Sequence, residues 1–494
     1  MKKDWMAQLA AHYQKTRHEY PDDALMILFD IDGTILDMRH LILHTLHAYD
    51  REHNTRYFRH LRLDDVDVHE NQIAPLLARL QIDPATQQDI TSWYMQERWR
   101  SEAIVEAHRP FEGVMNVIRW FQLQPNVAVG LNTGRPEAIR ADTLRCLNRL
   151  GQAYRVHFGE EDLHMNAADW EEGVLDAKIA GVRSFQQQGY RIFAVVDNEP
   201  EVLKSIADID PQGEILLLHA NTLFESKRVH LPRRAARGNT YHLTELIPEK
   251  LLPPRVQFVW HGVNDRANLR QFLASNIRWA ECDVHLDPTG SELILRHDSF
   301  TKTPLAADEE WLGLEEALET LRAHNRAVKL DLKAGGVLVD KILELVDRYG
   351  FAEEDLWFNG NVERLQEHRL RQLAADHPGA ILQVPVDFLF PLVQSAPQKA
   401  REILDMFASW GVNRFSISWL TEDMRAFFDQ MDRWGFEVNI YNVPDLESFL
   451  QAVLLMPRSV TADFNFPQWH YYGRGSGERG NHFEYALRRR RHKK

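Results

Sequence analysis

Short apolar runs alternate with helix-length stretches along most of this chain, in two separate series. The first series lies in the first 220 residues and contains five strand-like runs: ALMILFDID, NVAVGLNT, YRVHFG, YRIFAVVD and GEILLLHA. Strands that alternate with helices predict a parallel sheet, because each connection must cross the sheet to begin the next strand in the same direction. The first series therefore predicts a doubly wound parallel sheet of the α/β class.

The second series begins near Val256 and contains eight strand-like runs. They are VQFVWHG, WAECDVHL, AVKLDLKA, DLWFNGNV, AILQVPVDF, NRFSISW, FEVNIYNV and SVTADFNF. Helical patterns such as EWLGLEEALETLRAHN separate them. Eight strand–helix units over this length predict a (β/α)₈ TIM barrel.

The two series define the expected domain organisation of the 494-residue chain, which is too long for one ordinary core. We predict a sheet domain over 1–220, a linker over 221–254, a barrel over 255–472 and a flexible basic tail over 473–494. Within the first domain, residues 38–109 have helical spacing without strand-like runs. That segment predicts a helical insertion after the first strand.

Composition limits the classes of function. The formal charge of −14 disfavours a general nucleic-acid binder. Two cysteines in no metal-ligand pattern, no secretory signal and no long apolar stretch predict a cytoplasmic protein without a membrane span. The tail sequence RRRRHKK could contact nucleic acid, an anionic surface or an acidic partner, or could simply be a solubilising terminus.

The first candidate site follows the first strand, in the sequence FDIDGTILD. Asp30 and Asp32 are two residues apart, so their side chains point to the same side of an extended chain. Thr133 lies at the tip of the next predicted strand, Lys178 lies in DAKIAGV, and Asp197 ends YRIFAVVD. The order and position of these residues resemble the four motifs of the haloacid-dehalogenase (HAD) superfamily, in which the helical insertion would be the cap.

This resemblance implies a Mg²⁺-dependent phosphatase. Asp30 would attack phosphorus and form an aspartyl-phosphate, and Asp32 would act as general acid and base. Thr133 and Lys178 would hold the phosphoryl oxygens, while Asp30, the carbonyl of Asp32 and Asp197 would bind Mg²⁺. Three residues remain as candidates to complete the metal shell: Asn198, Glu199 and Glu201.

The second candidate site consists of polar residues near the predicted C-terminal ends of the barrel strands, where barrel active sites lie. They are, in chain order, His261, Glu281, Asp283, His297, Asp331 and Lys333. Unpaired charges at these positions would be costly without a metal or an anionic ligand. The pattern therefore predicts a binding site rather than barrel packing.

The same order of residues resembles the phospholipase-C-like phosphodiesterases, which include the glycerophosphodiester phosphodiesterases. HGVN at 261–264 and DLK at 331–333 are closer to the sphingomyelinase-D-like and menorin branches. The resemblance implies an acid–base pair, His261 and His297, and a phosphate ligand, Lys333. It also implies that Mg²⁺ or Ca²⁺ is bound by Glu281, Asp283 and Asp331. Hydrolysis and formation of a cyclic phosphate both remain open.

The sequence leaves two functional hypotheses. In the first, the chain is a bifunctional phosphate-ester hydrolase, with a phosphomonoesterase in the sheet domain and a metal-dependent phosphodiesterase in the barrel. Its substrate would be a phosphorylated small molecule or a phosphodiester. In the second, only the phosphatase is active and the barrel is a binding or scaffold module.

Overall fold

The structure is a computed structural model that describes residues 4–168, 173–222, 229–247, 256–305, 309–419 and 423–464. The chain divides into two compact units, Met1–Ile247 and Pro248–Lys494. The basic tail predicted over 473–494 lies outside the described residues. No helix in the described part of the chain is both long and apolar enough to cross a membrane.

A six-stranded parallel sheet forms the centre of the first unit. Its strands are β1 (Ala24–Phe29), β2 (Val127–Pro136), β3 (Leu163–Asn166), β4 (Tyr190–Asp197), β5 (Leu216–Ala220) and β6 (Ala236–Gly238). The strand order is β3-β2-β1-β4-β5-β6, and every pair is parallel. The order reverses beside β1, and open parallel sheets bind ligands at the carboxyl end of such a switch point.

Helices cover this sheet and form the insertion. They are α1 (Trp5–Glu19), α2 (Met38–His53), α3 (Ala74–Arg79), α4 (Pro84–Glu97), α5 (Ser101–Glu106), α6 (Val114–Gln122), α7 (Arg140–Gly151), α8 (Val174–Gln187), α9 (Pro200–Ile209) and α10 (Leu243–Leu246). The core against β1 and β4 includes Leu28, Phe185, Ile192 and Leu203, all 3% exposed or less. Its apolar burial supplies most of the driving force for folding.

The predicted helical insertion comprises α2 to α5 and has its own core, which includes Leu46, Phe58, Leu77 and Tyr94. Its two connections to the sheet run side by side. The amide of Asp37 donates to the carbonyl of Arg109 at 2.9 Å, and the amide of Phe111 donates to the carbonyl of Ile35 at 2.9 Å. The insertion therefore leaves and re-enters the sheet at one place.

Two local expectations differ from the structure. The run YRVHFG at 154–159 is a short 3₁₀ turn followed by loop, and the edge strand is β3 instead. Within the segment 221–254, predicted as a linker, residues 236–238 form β6 and residues 243–246 form α10, both in the first unit. Trp5 in α1 holds this segment, because its indole nitrogen donates to the carbonyl of Thr240 at 2.6 Å. Sequence periodicity could not reveal a three-residue strand.

The second unit is a closed barrel of eight parallel strands, as predicted. They are β7 (Gln257–Trp260), β8 (Trp279–Leu286), β11 (Ala327–Leu332), β12 (Leu356–Asn359), β13 (Ile381–Pro385), β14 (Arg414–Ser418), β15 (Val438–Tyr441) and β16 (Ser459–Ala462). Pairing of β16 with β7 and of β7 with β8 closes it. Two short strands, β9 (Leu293–Leu295) and β10 (Leu312–Gly313), extend β8 in antiparallel fashion.

Helices between these strands surround the barrel. They are α11 (Arg266–Leu273), α12 (Leu314–Ala323), α13 (Val337–Tyr349), α14 (Val362–Asp376), α15 (Phe390–Ser395), α16 (Pro397–Ser409), α17 (Asp423–Arg433) and α18 (Leu446–Leu454). Both units therefore confirm the predicted α/β class, a doubly wound parallel sheet with a helical cap followed by a (β/α)₈ barrel.

Candidate active sites

Asp30 follows directly after β1, and its backbone amide donates to the carbonyl of Val196 in β4 at 2.9 Å. The ammonium of Lys178, from α8, lies 2.5 Å from Asp30 Oδ1 and 2.7 Å from Asp197 Oδ2. All three side chains are buried. One lysine thus holds together two carboxylates from neighbouring strands.

The same residues fit a divalent cation. Two buried carboxylates and one ammonium leave an excess negative charge, and burial raises the pKa of Asp30 and of Asp197 although Lys178 opposes both shifts. The side-chain amide of Asn198, turned with its nitrogen inward, lies 3.2 Å from both Asp30 Oδ2 and the carbonyl oxygen of Asp32. These two oxygens therefore converge on one point, as ligands of Mg²⁺ do.

Asp32 is paired with an arginine that the sequence analysis did not select. Arg135 donates from Nε to Asp32 Oδ2 at 2.8 Å and from Nη2 to Asp32 Oδ1 at 2.5 Å. Burial disfavours the ionised carboxylate, but Arg135 outweighs this effect and lowers the pKa of Asp32. Thr133 is buried beside them on β2, where its hydroxyl accepts from the backbone amide of Arg135 at 3.2 Å.

Arg135 itself is fully enclosed. Its guanidinium donates to Thr143 Oγ1 at 3.2 Å, lies 3.3 Å from His108 Nε2, and packs over the ring of Trp99 at 5.2 Å. His108 Nδ1 lies 2.8 Å from the carbonyl of Ile104 and so must carry the proton of the neutral ring. Burial lowers the pKa of His108 to about 3. The imidazole therefore stays neutral and accepts from Arg135.

The insertion also contributes charged groups. His69 lies 3.3 Å from Glu70 Oε2 and 3.4 Å from Glu199 Oε1, so it connects the insertion to the loop after β4. Burial raises the pKa of Glu70, and the nearby charge of Asp32 raises it further. Glu70 is thus within electrostatic reach of the site.

In the barrel, one ligand atom each of His261, Asp283 and His297 lies within 4.8 Å of the others. His261 follows β7, and its Nδ1 lies 2.7 Å from Asp463 Oδ1 just after β16. A carboxylate partner of this kind fixes the orientation and the tautomer of an imidazole. The two rings meet edge to face, with centroids 5.9 Å apart.

Lys333 connects two carboxylates of adjacent barrel strands. Its ammonium lies 2.7 Å from Asp283 Oδ1 and also donates to Asp331. Asn264 donates to the other oxygen of Asp283 at 2.5 Å, and Asn359 donates to Asp331 Oδ1 at 2.7 Å. Burial raises the pKa of Asp331 to about 6, whereas Lys333 and the two histidines overcome burial and lower the pKa of Asp283.

Glu281 lies two residues before Asp283 on β8, one layer deeper in the barrel. Its Oε1 is 3.2 Å from the ammonium of Lys329, which is directly opposite on β11. Its Oε2 is buried and has no hydrogen-bond partner among the described residues. Among the described residues, the group whose ligand atoms lie close enough together to hold a metal ion is His261, Asp283 and His297, and the predicted set Glu281, Asp283 and Asp331 does not form such a group. Two features of the predicted set still suit a hard cation such as Mg²⁺ or Ca²⁺: the unpartnered Oε2 of Glu281 and one more negative charge than the ammonium groups of Lys329 and Lys333 supply.

Sequence reasoning missed several residues that contact the predicted ones. Arg135 and Lys329 each lie two residues from a selected residue on the same strand, so the two-residue repeat of a strand could have identified them. Asp463 follows the last barrel strand directly, so its position at the carboxyl end of a strand could have identified it. His69 and Glu70 come from a loop of the insertion, and nothing in their local sequence indicates the site.

The sequence matches no family model and no curated protein. Solved structures with similar folds include a phosphodiesterase from Oleispira antarctica in complex with the product sn-glycerol-3-phosphate, at 18% identity, covering 44% of this chain and 95% of that one, with a TM-score of 0.33. A glycerophosphodiester phosphodiesterase from Agrobacterium tumefaciens has 14% identity, coverages of 42% and 96%, and a TM-score of 0.28.

A haloacid dehalogenase-like hydrolase from Streptococcus pneumoniae has 10% identity, covers 41% of this chain and 87% of that one, and has a TM-score of 0.28. These similarities concern the fold alone. The chemistry of this chain has to be argued from its own residues.

Proposed function

We propose that the chain is a bifunctional phosphate-ester hydrolase, with an Mg²⁺-dependent phosphomonoesterase in the first unit and a metal-dependent phosphodiesterase in the barrel. The observation that carries this proposal is the contact of Lys178 with both Asp30 and Asp197 at the switch point of the sheet. A buried nucleophilic carboxylate beside an ammonium and a second acid is suited to phosphoryl transfer.

In the first unit, Asp30 attacks phosphorus and forms an aspartyl-phosphate while the alcohol leaves. Lys178 neutralises the oxygens that approach Asp30, and Thr133 lines the same end of the sheet. Asp32, ionised beside Arg135, accepts the proton of the water that attacks the aspartyl-phosphate. That proton is the one it gives to the next leaving alcohol. A bound Mg²⁺ would supply further neutralisation through Asp30, Asp197 and the Asp32 carbonyl.

In the barrel, His261 and His297 are the acid–base pair. Asp463 orients His261 so that its Nε2 is available, and half-exposed His297 lies across from it. One imidazole takes a proton from the attacking water, and the other gives a proton to the leaving alcohol. Lys333 holds a phosphoryl oxygen. A cation bound by Glu281, Asp283 and Asp331 would neutralise the phosphate charge.

The two activities form a sequence, because cleavage of a diester exposes a monoester. Their fusion raises the local concentration of that monoester near the phosphatase. A cyclic phosphate product would interrupt this sequence. The second hypothesis, an active phosphatase with a non-catalytic barrel, remains the alternative. Both cysteines are buried and free, which supports a reducing compartment such as the cytoplasm.

The test uses the full chain with Mg²⁺ and two chromogenic substrates, an aryl phosphate and the matching alkyl aryl diester. Asp30→Asn should abolish release from the monoester and leave diester cleavage unchanged. His261→Ala should lower diester cleavage by about a hundredfold or more and leave monoester hydrolysis unchanged. Products are resolved by ³¹P NMR, which separates a monoester from a cyclic phosphate.

Diester cleavage that survives both His261→Ala and Glu281→Ala would rule out a catalytic barrel and leave the alternative. Monoester hydrolysis that survives Asp30→Asn would rule out the aspartyl-phosphate route. His324→Ala is the matched control for the barrel, because His324 is an exposed imidazole at the end of α12. It should change neither activity.

A further inference from the structure

Lys329 is a buried cation inside the barrel that the proposed mechanism does not use. It lies in the middle of β11, and its side chain is 2% exposed. The ammonium is 3.2 Å from Glu281 Oε1 and 3.3 Å from Thr461 Oγ1, and it lies 4.9 Å above the ring of Trp357. A desolvated ammonium is costly unless it is paired, and Glu281 is the acid that pairs it.

The depth of Lys329 excludes a direct role with substrate. Strand register pairs Lys329 with Glu281 and pairs Asp331 with Asp283, so Lys329 lies one layer below the acids that Lys333 connects. The layer above separates it from the open end of the barrel. Among the described residues, its polar contacts are with Glu281 and Thr461, and its ammonium lies over the ring of Trp357.

The positive charge of Lys329 reduces the net negative charge that is available to bind a cation in the barrel. The site contains three carboxylates and two ammonium groups, those of Lys329 and Lys333. It therefore carries one excess negative charge, whereas without Lys329 the three acids Glu281, Asp283 and Asp331 would leave two. The unpartnered Oε2 of Glu281 stays available to a cation, while Oε1 is already engaged. An ammonium this close repels an incoming divalent cation and competes for the same carboxylate.

We propose that Lys329 is a built-in counterion of Glu281 that weakens binding of divalent cations in the barrel. The barrel then folds without metal and takes up its cation reversibly. This inference rests on the metal site of the proposed function. It assigns Lys329 as a residue that sets metal affinity through Glu281.

The test measures Ca²⁺ binding by isothermal titration calorimetry, with Asp30→Asn present in every protein so that the first site does not change between samples. Lys329→Met removes the charge and keeps the apolar length of the side chain. It should tighten Ca²⁺ binding at least about tenfold, because one repelling charge is lost at close range. Unchanged or weaker binding would overturn the proposal.

A double-mutant cycle shows whether the effect passes through Glu281. In a Glu281→Gln background, Lys329→Met should tighten Ca²⁺ binding by a clearly smaller factor, since only the through-space repulsion is relieved and no carboxylate is released to the cation. Equal tightening in both backgrounds would contradict the pairing mechanism. Lys399→Met, on the exposed face of α16, is the control for loss of a lysine charge and should leave the affinity unchanged.

Thermal melting separates this role from simple packing. Lys329→Met leaves Glu281 buried without its partner, so the variant should melt lower than the parent in EDTA and recover with Ca²⁺ more than the parent does. A fall in melting temperature that Ca²⁺ does not reverse would indicate that Lys329 contributes only packing, and it would overturn the proposal. If Lys329→Met does not fold, Lys329→Gln removes the charge while keeping a hydrogen-bond donor and is judged by the same criteria.

These readouts are independent of turnover. If the parent binds Ca²⁺ and the cycle behaves as expected, the inference on Lys329 stands even when no diester is cleaved, and only the proposed barrel activity fails. If diester cleavage depends on His261 but Lys329→Met leaves Ca²⁺ affinity unchanged, the proposed function stands and the inference fails.

Discussion

The two candidate sites use the same set of charges on unrelated scaffolds. Each contains three carboxylates and two cations, and in each one lysine connects two of the acids: Lys178 in the first unit and Lys333 in the barrel. The difference lies in the second cation. Arg135 engages both carboxylate oxygens of Asp32, whereas Lys329 engages only one oxygen of Glu281.

This difference has a chemical consequence. The proposed Mg²⁺ ligand at Asp32 is its backbone carbonyl, so Arg135 fixes the side chain without competing for the metal. The proposed ligand at Glu281 is the carboxylate itself, so Lys329 does compete. Under the proposed functions, the second cation orients an acid–base group in the first site and lowers metal affinity in the barrel.

The largest effect on stability should come from replacing, in two separate variants, the lysine that connects two acids in each site. Lys178→Met leaves Asp30 and Asp197 buried without a cation and should cost about 3–5 kcal/mol of stability. Lys333→Met should cost less, about 1–3 kcal/mol, because the side chain of Asp331 is 16% exposed and water can replace part of the lost contact. Calorimetric unfolding of the full chain measures both. Equal losses would show that this exposure does not matter.

Loss of the second cation in the first unit should affect catalysis more than folding. Arg135→Met frees the carboxylate of Asp32, and hydrolysis of an alkyl phosphate should fall by about a hundredfold because its leaving group needs the acid. Hydrolysis of an aryl phosphate should fall much less, because its leaving group departs without help from the acid. Arg145→Met, on the exposed face of α7, is the control. An equal fall on both substrates would refute a role in orienting Asp32.

The imidazoles of the two units should respond differently to acid. His108 has a pKa near 3 in the folded state against an ordinary value of 6.5, so it stabilises the fold above pH 6.5 and this contribution is lost as the pH falls. Between pH 7 and pH 5 the loss should be about 2 kcal/mol. His108→Gln should flatten that dependence in urea titrations.

His297 in the barrel provides the comparison for that measurement. Its pKa is also lowered by burial, but half of its side chain is exposed to water. His297→Gln should therefore change the acid dependence of stability less than His108→Gln does. A larger effect at His297 would contradict the difference in burial between the two sites.

The smallest effect concerns one tyrosine hydroxyl near each site. The hydroxyl of Tyr241 donates to the carbonyl of Thr34 at 2.9 Å, and that of Tyr441 donates to Asp387 Oδ2 at 2.7 Å. Replacing either by Phe should cost about 1 kcal/mol. Tyr349→Phe, on the surface of α13, should cost less. Urea titrations compare the three variants.

The sequence predicted the strands that are long and apolar and the acids that follow them. Asp30 and Asp283 could be found for two reasons. Side chains two residues apart on a strand point to the same side, and ligands bind at the carboxyl ends of parallel strands. The partners of these acids could not all be found. Glu70 reaches the first site from a loop of the insertion, and β6 depends on packing against Trp5, so both are set by contacts between distant residues.

The side-by-side connections of the insertion affect how a chain of this kind can evolve. Because residues 35–37 and 109–111 are hydrogen-bonded neighbours, the segment between them begins and ends at one point of the sheet. Another helical module with adjoining ends can replace it without stretching the strands. Exchange of this module would leave Asp30, Lys178 and Asp197 in their positions.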